Sequence, residues 1–123
     1  MELFENLKYI KESVELNSEF DQVDSDEYVA TLSNEYGEVY IEVKYDFDNY
    51  FNNAAYVVQV TTEDSRFAKI FKESDYNDNI DDPDYVDFDM KDDANKLAND
   101  ILQDYNNSLS DYDILQKYNM NWN

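Results

Sequence analysis

The sequence predicts an α+β domain: an N-terminal helix, a three- to four-stranded antiparallel sheet and two C-terminal helices. Three observations carry that expectation. Apolar residues recur at three- and four-residue spacing near both ends of the chain. Clean period-two alternation fills the middle. The 123 residues are 42% apolar and 16% aromatic with one Gly and one Pro, a composition unlike a linker or a low-complexity tail. At this length one domain, residues 1–123, is the natural unit.

The first helix is read from Leu3, Phe4, Leu7, Ile10 and Val14, one apolar stripe flanked by Glu2, Glu5, Lys8, Lys11 and Glu12. Such a helix needs a surface to pack on, and the next stretch supplies strands. Tyr28–Ser33 is rich in β-formers and ends in Asn34-Glu35-Tyr36-Gly37, a turn signal holding the only Gly. In Glu38–Tyr45, Val39, Ile41 and Val43 alternate with Glu38, Tyr40, Glu42 and Lys44, the mark of a half-buried antiparallel strand. After a polar connection at Asp46–Asn53, Ala55–Thr62 reads as a third strand. Ser65–Ser74 fits helix or strand equally, and its Arg66, Lys69 and Lys72 form the one basic patch, whose simplest role is to pair with the surrounding acids.

Glu73–Asp93 holds ten acids against Lys91 alone, a net charge of −9. Within it, Tyr85–Met90 alternates acids with apolar residues and reads as a short edge strand, while Pro83 argues against a central one. Asp92 or Asp93 then caps a helix to about Tyr105, striped by Ala94, Leu97, Ala98, Ile101 and Leu102. Ser110 and Asp113 resemble a capping box before Ile114, Leu115 and Tyr118, a second short helix. Trp122, in the tail, is expected to pack on the domain.

Thirty Asp and Glu stand against nine Lys and Arg, for a formal net charge of −21. A domain of this length is about 35 Å across, and duplex DNA of that length carries about 20 phosphates. The chain thus holds about the charge of the duplex it would displace. With neither His nor Cys, the usual nucleophile–base pairs, disulfides and soft-ligand zinc sites are excluded. A single Gly leaves no phosphate-cradling loop. Among 30 acids a carboxylate pair carries no information about glycoside hydrolysis, so the expectation is a non-enzyme without a cofactor. The closest calcium-loop pattern, Asp75 to Asp81, has Ile80 where the turn Gly belongs and Val86 where a bidentate Glu belongs. The acidic start is unlike a signal peptide, and no apolar run reaches transmembrane length; with the lack of Cys, this predicts a cytoplasmic protein.

A chain this acidic repels phosphate but suits a partner with a Lys/Arg groove for nucleic acid. Asp accepts charge-assisted hydrogen bonds from Arg, and Tyr offers a face for guanidinium stacking. Both chemistries crowd into one segment. The predicted contact residues are therefore Asp75, Tyr76, Asp78, Asp81, Asp82, Asp84, Tyr85, Asp87, Asp89, Asp92 and Asp93. The partner is a basic nucleic-acid-binding protein, met by a monomer or small homo-oligomer. Two other classes fit the composition: an acidic phage or bacterial adaptor using exposed Tyr or Trp122, and a weak cation-binding module.

In size, charge, aromatic content and element order the chain resembles the small acidic proteins that phages and mobile elements make against host nucleases, the anti-restriction DNA mimics and anti-CRISPR proteins. Its expected order of helix, three strands and two helices is similar to one group of inhibitors of the type II RNA-guided nuclease. The resemblance implies an acidic plug in the site that reads the short DNA motif beside the target, where carboxylates take the place of guanine before the reading arginines. It carries over no residue identities.

Overall fold

The computed structural model describes residues 14–46, 55–72 and 83–122. The predicted first helix, except Val14, lies outside the described residues, as do Asp75, Tyr76, Asp78, Asp81 and Asp82.

The sheet is larger than the expected three or four strands. Six antiparallel strands run β1 (Asp21–Asp24), β2 (Glu27–Asn34), β3 (Gly37–Asp46), β4 (Ala55–Thr62), β5 (Arg66–Lys72) and β6 (Asn121–Trp122), and they pair in that spatial order. Two helices follow β5: α1 (Pro83–Asn106) and α2 (Asp111–Lys117). The predicted fold is thus corrected to a six-stranded sheet with two described helices. Of the extra strands, β1 and β6 carry no alternation to read. All four residues of β1 are exposed, and only backbone pairing to β2 makes them a strand. β6 is two residues long and exists because the tail returns to pair Trp122 with Phe67.

Ser65–Ser74 resolves as strand over Arg66–Lys72. Its register on β4 sets Phe67 against Val60 and Phe71 against Tyr56, so both Phe residues join the inner face. A helix there would leave the edge of β4 opposite β3 unpaired.

Tyr85–Met90 is corrected in the opposite sense: it is helical, the first turns of an α1 that begins nine residues before Asp92. Pro83 stands at the helix start, where its fixed φ and missing N–H are harmless, and Asp84 follows at the positive end of the dipole. Met90, Ala94, Ala98, Ile101 and Tyr105 continue one stripe, each at most 1% exposed.

That stripe lies on the inner sheet face, whose Ala30, Ile41, Val43, Val58, Val60 and Phe67 are fully buried. Ile114 and Leu115 of α2 complete the same core. Both helices end in Schellman turns. After α1 the Leu109 N–H reaches the Asp104 carbonyl at 3.1 Å and the Ser108 N–H the Tyr105 carbonyl at 3.0 Å, with Ser108 at φ 63°. After α2, Met120 and Asn119 repeat the pattern on Leu115 and Gln116, with Asn119 at φ 52°. The second turn aims the tail back at β5. The predicted capping box is present: Asp113 N–H donates to Ser110 Oγ at 3.2 Å.

Candidate interaction surface

The segment forecast as one contact strip is divided by the fold. Asp84, Tyr85, Asp87 and Asp89 fall in the first turns of α1. Asp93 is exposed on the same helix. Asp92 is 5% exposed and turned inward. Helical periodicity explains the split, since neighbours 92 and 93 point about 100° apart on a helix of 3.6 residues per turn.

Asp92 belongs to a polar ladder. Asp92, Asn95 and Asn99 sit one helical turn apart and face the extended segment 14–17. Val14 N–H donates to Asp92 Oδ1 at 2.9 Å, and Asn95 Nδ2 donates to the Val14 carbonyl at 2.7 Å. Asn99 Nδ2 donates to the Glu15 carbonyl at 2.8 Å, while Asn17 N–H donates to Asn99 Oδ1 at 2.8 Å. Side chains of α1 thereby satisfy a backbone that has no strand beside it. The Tyr45 hydroxyl donates to Asn95 Oδ1 from the sheet, joining the two layers. Burial pushes the Tyr45 hydroxyl up to about 12.

Two other acids serve as joints. Asp104 accepts from Lys117 Nζ at 2.9 Å and from the Tyr118 hydroxyl, tying α2 to α1. Asp111 accepts from the buried Tyr105 hydroxyl at 2.9 Å and from Thr62 Oγ1 at 2.8 Å, so α1, α2 and β4 meet on one carboxylate. Burial raises the pKa of both Tyr105 and Tyr118, and the facing Asp adds to each.

The basic patch does not act as a unit. Lys69 lies on the inner face and donates to the Tyr118 carbonyl at 3.1 Å, whereas Arg66 and Lys72 are exposed on the outer face. Among the described residues the ion pairs are Lys44–Glu27, Lys96–Asp100 and Lys117–Asp104, none of which uses it. On the outer face of β2–β5, Glu27, Glu38 and Glu42 share the surface with Lys44, Arg66 and Lys72. Negative charge also gathers at one end of the sheet.

One concentration of it was not foreseen from the sequence. Tyr36, Glu38, Glu63, Asp64, Asp111 and Tyr112 line a groove of about 240 Å³. Tyr36 and Tyr112 are 59% and 66% exposed, so carboxylates and open aromatic rings stand together. The three contributing segments are distant in sequence. In a meander the β2–β3 and β4–β5 turns fall at the same end of the sheet, and the Thr62–Asp111 bond brings the start of α2 there. The readable signal was Glu35-Tyr36 and Glu63-Asp64 placed in alternate turns. Tyr40, whose hydroxyl donates to Glu38 at 2.9 Å, has its pKa raised by that bond.

Among the described residues no group of three or more acids is placed to hold a metal ion, and no helix is long and apolar enough to cross a membrane. Trp122 is 62% exposed, yet its ring meets Phe67 edge-on at 6.0 Å, so the expected packing is one-sided. No protein-family model, curated protein or solved structure matches the chain.

Proposed function

We propose that this chain is a non-enzymatic inhibitor that carries DNA-like charge into the basic nucleic-acid groove of a host defence nuclease and blocks DNA binding. Type II RNA-guided nucleases are the first class to test. The observation that carries the reading is the net charge of −21 on 123 residues. The groove beside Tyr36 and Tyr112, lined by Glu38, Glu63, Asp64 and Asp111, supports it, as do the acids that the sequence places at the start of α1. In both places carboxylates stand near Tyr in sequence or in space, the pairing that suits guanidinium groups.

The test is competition against a DNA duplex for the nuclease across a salt series. Screening shortens the reach of exposed charges from about 10 Å at 0.1 M salt to about 3 Å at 1 M, so inhibition should fall steeply with salt. Reversing Asp82, Asp84 and Asp87 to Lys should slow association sharply. An inhibitor that works equally well at high salt, or with the triple reversal, contradicts the reading. Trp122, 62% exposed, favours the adaptor as a second reading, in which Trp122→Ala weakens assembly and salt does not.

A further inference from the structure

A second cavity, of about 450 Å³, opens between the 14–20 segment, β2–β3 and α1, a size within the range of small-ligand sites. Asp92 lines it, and among the described residues Asp92 Oδ2 is the buried side-chain polar atom left without a hydrogen-bond partner. A buried carboxylate oxygen without a donor is costly, and native structures rarely leave one so. The other walls include Tyr28 and Tyr45, whose rings meet at 5.5 Å with a 50° tilt. Lys91 Nζ already lies 5.0 Å from the Tyr45 ring centre, so that ring face receives a cation within the fold. Glu15 and Asp92 against Lys91 leave the lining net negative.

We infer that this cavity is a binding site for a guanidinium group. A guanidinium supplies the donor that Asp92 Oδ2 lacks, stacks flat on Tyr28, and brings the positive charge that the lining favours. An alkylammonium supplies charge but no flat face, and a neutral urea supplies donors but no charge. The site is independent of the nuclease reading, since its probes require no nuclease and a failure of inhibition would not alter their result.

The experiment is a titration of the full chain, followed by NMR amide shifts, with N-acetyl-arginine amide, agmatine, N-acetyl-lysine amide and N-acetyl-citrulline amide. The arginine probe or agmatine should give saturable shifts centred on Tyr28, Tyr45, Asp92 and Asn95. Tighter binding of agmatine identifies a free guanidine as the natural source, and tighter binding of the arginine amide a side chain of a protein. Asp92→Asn keeps an acceptor for Val14 N–H and should weaken binding about tenfold or more, the loss of one charge-assisted bond. Tyr28→Leu removes no hydrogen bond of the ladder and should also weaken binding. Lys91→Met should tighten it by removing a competing cation. Equal shifts with citrulline or lysine, no effect of Asp92→Asn and Tyr28→Leu, or weaker binding in Lys91→Met would overturn the assignment.

Discussion

Asp111 joins three elements, and its removal has a magnitude that can be worked out bond by bond. In Asp111→Ala the Tyr105 hydroxyl loses its acceptor at 2.9 Å in a residue only 1% exposed. A hydrogen bond to a charged group contributes about 1.5–3 kcal/mol, and an orphaned buried donor falls in a similar range. Thr62 loses less, because its Oγ1 keeps a contact with the Ser65 carbonyl at 3.4 Å. The sum is about 3 kcal/mol, a large share of a typical stability of 5–15 kcal/mol. At about 4 °C per kcal/mol for a domain of this size, the melting temperature should fall by about 12 °C. Removing one acid also relieves self-repulsion, and Glu35→Gln, at an exposed turn position, measures that effect alone. The assay is urea unfolding of Asp111→Ala, Tyr105→Phe and the double variant. Coupling between the two sites should exceed about 1 kcal/mol. Additive losses, or a cost for Asp111→Ala below about 1 kcal/mol, would refute the joint.

Three further outcomes follow from local geometry. Ser108 holds the left-handed position after α1, so Ser108→Gly should stabilise the fold by about 1 kcal/mol in chemical denaturation. Gly37 has φ +117° with only ordinary contact to Glu63 at 3.6 Å, so Gly37→Ala should cost about 1–3 kcal/mol through backbone strain, not a clash. The Tyr45 hydroxyl is raised to about 12 in the folded state from an unfolded value of 10.0. The folded state therefore binds the proton more tightly, and that stability is whole below pH 10 and lost as pH rises through about 12. Thermal melts between pH 9 and about 12 should show a steeper decline for the parent than for Tyr45→Phe.

Much of this architecture was legible in the chain. Val39, Ile41 and Val43 could face one way only in a strand, because the side-chain period is two, and Gly37 marked the turn before them. Ser110 and Asp113 announced α2 through a cap that forms within four residues. The net charge is fixed by composition alone. These features are local, so the sequence sufficed. Arg66–Lys72 was undecidable because Phe67 and Phe71 are four apart, a spacing shared by a helix stripe and a strand face; the exposed edge of β4 decided it. Tyr85–Met90 misled because its acid–apolar alternation holds only over Val86–Met90, and packing of Met90 on the sheet continued the helix through it. Whether an Asp is a joint or a surface charge was also beyond local reading. Asp92 and Asp93 are adjacent and chemically identical, and only the direction of α1 against segment 14–17 buries one and exposes the other. The sequence determined how much negative charge this protein carries, since charge is additive over residues; the tertiary structure decided where that charge is used, since burial and hydrogen bonding belong to residues far apart in the chain.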